Sequence, residues 1–149
     1  MMPPKIKPKW NMLELELVRI VCGAGRLSHA DPLFADLSTL KVDDLFAQSV
    51  RVFSYKMSKG MLPGGMAAFS DKMDHGHATR GARSNFFVSH SGSKSIRSIA
   101  PRYWNTLPLN MKQSPSIASF KVASKLGLLA PYGSFVCAVR GCRSCAARS

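Results

Sequence analysis

Acidic residues are scarce in this sequence and confined to one part of it: eight Asp and Glu occur in 149 residues, the first at Glu14 and the last at Asp74. Residues 75–149 hold eleven Lys and Arg and no acid, whereas residues 1–74 hold ten basic residues against all eight acids. Cations without carboxylate partners favour a polyanion, because each phosphate they neutralise releases condensed counterions. RNA or DNA is therefore the first partner to expect. An anionic membrane surface fits less well, since no basic amphipathic helix stands out in the charged half.

Further absences narrow the class. No apolar run approaches 18 residues, so neither a transmembrane span nor a membrane partner is expected. Lys5, Lys7 and Lys9 have the look of a leader's basic start, but the apolar stretch after them is broken by Glu14, Glu16 and Arg19. An intracellular protein, nuclear or cytoplasmic and not secreted, is the expectation, with its four cysteines as reduced thiols. There is no G-x-S-x-G elbow, no P-loop and no G-x-G-x-x-G between strand and helix; Gly23-Ala24-Gly25 reads as a helix stop. Neither enzymatic activity nor a cofactor is expected.

What is present suffices for a modest core: Leu, Ile, Val and Phe number 36, about a quarter of the chain and above the roughly 20% at which charged chains stay unfolded. The reading is mainly α, a small helical core over about 12–60 followed by a loop-rich segment and two short C-terminal helices. Residues 1–11, with three prolines and three lysines before Trp10, predict a disordered lead-in. Leu13, Leu17, Val18 and Val21 predict a helix over Met12 to Cys22, ended by Gly23 and Gly25. Leu33, Phe34 and Leu37 suit a short helical turn over Pro32 to Leu37. Leu45, Phe46, Val50, Phe53 and Met57 predict a long helix from Ser38 or Thr39 to Lys59, opened by Asp43 and Asp44 and ended by Gly60 and Pro63. Its apolar face is expected to pack on the first helix and the Pro32 to Leu37 turn.

Six of the 11 glycines fall between Gly60 and Gly92, where no periodicity is sustained. A β-hairpin is expected there, Asn85 to Val88 pairing with Ser95 to Ile99. Pro101 is expected to open a helical turn bearing Tyr103 and Trp104, and Ser114 with Pro115 to cap a helix through Ile117, Phe120 and Leu126 that Gly127 ends. Residues 12–130 form the expected body. The basic, cysteine-bearing residues 131–149 are expected to be disordered.

Three constellations offer chemistry and are better read without it. Val42-Asp43-Asp44 has the paired aspartates of a two-magnesium site, but the pair opens a helix, so both acids read as complements to its dipole. His75-Gly76-His77 offers two imidazoles in a glycine-bearing loop, too few for a site. Cys137, Cys142 and Cys145 offer three thiolates at C-x4-C-x2-C spacing and lack a nearby fourth donor for zinc, with only His75 or His77 at a distance, so no metal is expected. Tyr103 and Trp104 beside Arg102 suit base stacking, and suit a core better.

The order of the segments carries a family likeness. Arg19-Ile20-Val21-Cys22-Gly23-Ala24-Gly25 is followed by His29-Ala30-Asp31-Pro32-Leu33-Phe34, then Leu40-Lys41-Val42 with Asp44-Leu45, Phe53-Ser54-Tyr55-Lys56 and Leu62-Pro63. Next come His75-Gly76-His77-Ala78-Thr79-Arg80, Asn85-Phe86 and Ser95-Ile96-Arg97. Pro101-Arg102-Tyr103-Trp104-Asn105-Thr106-Leu107-Pro108, Ser114-Pro115-Ser116 and Ser119-Phe120-Lys121 complete the series. Over roughly residues 17 to 129 this order resembles the region downstream of the polymerase domain in non-LTR retrotransposon reverse transcriptases, with motifs of the form R-I-I-x-G-A, H-x-x-P-L-F and H-x-H-x-T-R. Met1 to Trp10 fits nothing in that family, Ala100 stands where glycine is usual, and Leu126-Gly127 replaces a more basic continuation. The departures suggest a truncated or decaying copy.

The resemblance implies a region that follows the thumb and helps to hold template RNA or target DNA, while the catalytic fingers and palm belong upstream. An orphan C-terminal fragment without polymerase activity is the expectation, its non-specific affinity for RNA or DNA resting on Arg80, Arg83, Lys94, Arg97, Arg102, Lys112, Lys121 and Lys125. The alternative is an independent small basic adaptor whose Met12 to Lys59 helices bind a protein.

Overall fold

Helix stops place the elements. In the computed structural model, which describes residues 9–69, 85, 86, 88, 94–134, 136 and 137, the first three helices all close in the same way. Helix α1 (Lys9–Val21) ends at Gly23, at φ 61°. The Gly23 and Ala24 amides bond back to the carbonyls of Ile20 and Arg19. Helix α3 (Val42–Ser58) ends likewise at Gly60, at φ 67°, with Gly60 and Met61 bonding to Met57 and Lys56. Both are left-handed caps of the kind that glycine enters without a Cβ clash.

Helix α2 (Ala30–Asp36) closes identically, but on Ser38, at φ 49°. The Ser38 amide reaches Ala35 O and the Thr39 amide Phe34 O, 2.9 and 3.0 Å away. The residues expected to open α3 thus close α2 instead. The first helix also starts earlier than expected, at Lys9, so residues 9–11 are helical and the lead-in expected to be disordered does not extend to residue 11.

Two further helices follow a 3-10 turn at Gly64–Phe69: α4 (Ile96–Asn105) and the single turn α5 (Leu109–Lys112). The expected hairpin does not form, because Ser95 is extended and its carbonyl accepts the Ser98 and Ile99 amides, which makes its second strand the first turn of α4. The backbone of Phe86 is met by a side chain: Asn105 Oδ1 accepts the Phe86 N–H and Asn105 Nδ2 donates to the Phe86 carbonyl, both at 2.9 Å. One amide thus supplies the donor and acceptor that a neighbouring strand would have supplied. Pro101 lies inside α4 rather than at its start. It has no N–H to give the Arg97 carbonyl, which lies in the first turn, so the interruption stays at one end of the helix.

Helix α6 (Ile117–Gly133) is capped by Ser116, not by Ser114. Ser116 Oγ accepts the Ser119 N–H at 3.2 Å and Ser119 Oγ accepts the Ser116 N–H at 3.3 Å, a reciprocal cap built from two serines. The helix runs through Gly127 and Pro131, six residues past its expected end, so the first three residues of the expected tail are its last turn. An internal glycine costs about 1 kcal/mol, less than is regained when Leu128 and Leu129 pack and Tyr132 is buried.

The described chain is mainly helical, with no strand among the described residues. It divides into two units, residues 1–44 with 127–149, and residues 45–126. The first has a core of Val18, Ala30, Leu33, Phe34, Leu40 and Tyr132. The second is built on Tyr55, Met57, Phe86, Trp104, Leu107 and Phe120, with Tyr55 stacked on Phe120 at 4.6 Å between ring centroids. Within the second unit, the inward face of α3 packs on α4 and α6. Ser54 and Tyr55 fasten it there: Ser54 Oγ is shared between the carbonyls of Val50 and Ala100, and Tyr55 donates to the Ser114 carbonyl at 2.8 Å.

Candidate nucleic-acid interface

The boundary between the units changes where the charge asymmetry falls. All six acids among the described residues, Glu14, Glu16, Asp31, Asp36, Asp43 and Asp44, belong to the first unit; Asp71 and Asp74 lie outside the described residues. The described part of the second unit holds nine Lys and Arg and no acid. Lys56 and Lys59 of α3 therefore join the cationic set. The sequence concealed this, because both precede the last acid along the chain, whereas all the described acids belong to the other unit.

Of the eight cations proposed from sequence, Lys94 ahead of α4, Arg97 and Arg102 on α4, and Lys121 on α6 stand exposed, and Lys125 is half-buried. Arg80 and Arg83 lie outside the described residues, as do His75 and His77. Lys112 departs from expectation: it is only 8% exposed. Its Nζ donates to Asn85 Oδ1 at 2.8 Å, approaches the Asn105 carbonyl at 3.5 Å and sits 5.8 Å from the centre of the Trp104 ring. Burial pushes its ammonium below the usual lysine range. Lys112 ties α5 to Asn85 and α4 and is not available to a phosphate. Trp104 is core, while Tyr103 remains half-buried at the surface.

The first unit gathers a different cluster at the start of α3. Glu14 of α1 accepts the Val42 N–H at 2.7 Å, a cap supplied from 28 residues away. Asn11 donates to Asp43 at 3.3 Å, and Lys41 pairs with Asp31 at 2.6 Å. Tyr132 donates to Asp44 while accepting the Lys41 N–H, and its ring lies 4.8 Å beneath the Lys41 ammonium. An open recess of about 170 Å³ lies among Asn11, Glu14, Leu15, Lys41 and Asp43. Its polar walls are already partnered, Asn11 with Asp43, Glu14 with the Val42 N–H and Lys41 with Asp31, and Asp43 and Asp44 lie in the first turn of α3. Burial first, then the Asp44 carboxylate, raises the Tyr132 phenol well above its ordinary range.

Among the described residues, no group of three or more His, Cys, Asp or Glu is placed to hold a metal ion. Cys137 is half-buried, and Cys142 and Cys145 lie outside the described residues. Among the described residues, no helix is long and apolar enough to cross a membrane. Set against protein-family models, curated proteins and solved structures, the chain finds no match.

Proposed function

We propose that this chain is the C-terminal region of a non-LTR retrotransposon reverse transcriptase, downstream of the polymerase domain, and that it binds RNA or DNA without base specificity and takes no catalytic step itself. The observation that carries the proposal is the second unit, whose described residues hold nine Lys and Arg and no carboxylate. Support also comes from where the family-like segments meet. Tyr55, Phe86, Trp104, Leu107 and Phe120, drawn from four separate motifs, share one core. Ala100, at the position where the family usually has glycine, is fully buried, and its carbonyl accepts the Ser54 hydroxyl of α3.

Titration of the chain with single-stranded RNA and duplex DNA over a range of salt tests this. Affinity is expected to fall steeply with salt. Exchanging Lys94, Arg102, Lys121 and Lys125 for Gln is expected to reduce the log–log slope by roughly 2 to 3 and to weaken binding about a hundredfold at moderate salt. Lys112→Met, which removes a buried cation, is expected to leave the slope unchanged. An unaltered slope in the fourfold variant refutes the electrostatic account.

A second reading, the small basic adaptor, is favoured by α1, whose Leu13, Leu17, Ile20 and Val21 are all more than half exposed on one face. It requires sedimentation as an oligomer that Leu17→Asp returns to monomer. A parent chain that is monomeric at every concentration removes it.

A further inference from the structure

On α3 within the second unit, Phe46 is 53% exposed and meets Tyr103 of α4 edge to face, with centroids 6.5 Å apart at 83°. Gln48 lies two residues further on, about 160° away around the helix. It donates Nε2 to the Lys121 carbonyl of α6 at 3.3 Å. Helix α3 therefore has α4 along one flank and α6 along the other, and a strip carrying Leu45, Phe46 and Ser49 faces solvent between them. Arg102, adjacent to Tyr103 in α4, and Lys121 of α6 are both exposed. An apolar strip with two aromatic rings thus lies between two helices that each carry an exposed cation.

We infer that this strip is a stacking platform for a single strand of RNA or DNA, Phe46 and Tyr103 receiving bases while Arg102 and Lys121 hold phosphates on either side. The inference rests on the nucleic-acid reading above and deepens it by naming the form of the ligand. Single strands present unstacked bases to aromatic faces, whereas in a duplex those faces are already covered by neighbouring bases. The charge on the two flanking helices argues for this occupant. A protein partner seated on the strip would need acidic groups at both edges, whereas any nucleic acid strand carries a phosphate at every step. Phe46 and Tyr103 belong to different helices, so the sequence offered Tyr103 and Trp104 beside Arg102 as a stacking pair and could not show that Phe46, not the buried Trp104, is the ring exposed beside Tyr103.

The test compares the full chain's affinity for an oligothymidine with that for an abasic strand of equal length at the same salt. The parent is expected to prefer the base-bearing strand by about tenfold or more. Phe46→Leu with Tyr103→Leu keeps apolar side chains and removes both rings; it is expected to bring the ratio close to one while leaving the salt slope unaltered. Phe46→Leu alone, at a ring already more than half in solvent, should lower the ratio and guards against a folding defect in the double variant. Equal parent affinity for the two strands, or a ratio that survives both substitutions, overturns the platform and leaves non-specific binding standing. Failure to bind either strand overturns both readings. Unchanged strand binding with loss of self-association on sedimentation would make the strip a protein contact, which also overturns the platform.

Discussion

Trp104→Ala is expected to destabilise the second unit by about 3–5 kcal/mol, enough to unfold a small core outright. The indole is 3% exposed, its ring centre 5.7 Å from that of Phe86 and 6.4 Å from that of Phe120. It also lies under the Lys112 ammonium. Truncation would leave a cavity between two rings and remove the π surface that helps to offset a buried cation. Trp104→Phe should retain most of the packing and lose far less. Urea denaturation followed by far-ultraviolet circular dichroism measures both variants. A midpoint for Trp104→Ala equal to the parent's would mean that the indole is not the centre of this core.

Tyr132 should show a comparable sensitivity in the first unit, with a dependence on pH that Trp104 lacks. Its ring is 5% exposed and packs edge-on against Phe34 at 6.2 Å, so Tyr132→Ala is expected to cost about 3 kcal/mol or more. Tyr132→Phe keeps the ring and removes the hydroxyl that joins Lys41 to Asp44, leaving two polar groups short of a partner at about 1–3 kcal/mol. Because the folded chain holds the phenol protonated more firmly than the unfolded chain does, the native state binds more protons above the ordinary tyrosine value near 10. The stabilisation is therefore fully present below that value and is lost as pH rises above it. Denaturation at neutral and strongly alkaline pH checks the sign. The parent should lose more stability than Tyr132→Phe over that interval, and equal losses would show that Asp44 and burial do not hold the proton.

These two residues also mark the reach of the sequence. Trp104 was legible as core material from its place in a short apolar turn. Tyr132 was not, because it lies beyond Gly127 and directly follows Pro131, both of which read as helix breakers, and the contacts that outweigh them lie with residues about ninety positions earlier. Lys112 was misread for a related reason. In a stretch without acids every lysine looks available, and the acceptors that hold this one, Asn85 and the Asn105 carbonyl, are neutral.

The sequence by itself determined the helical character of α1, α3 and α6, the stops at Gly23 and Gly60, and the confinement of acids to the first part of the chain. Each follows from local rules, since side-chain period, the left-handed freedom of glycine and the count of ionisable groups depend on few neighbours. Tertiary structure alone decided that Ser38 would take a glycine's conformation, that Glu14 would cap a helix 28 residues away and that Asn105 would stand in for a strand. It also placed Lys56 and Lys59 in the unit whose described residues hold no acid, and Phe46 beside Tyr103. Such pairings are settled by which surfaces meet when two helices pack, and the energy that selects them, burial together with the satisfaction of buried polar groups, exists only once distant segments have come together.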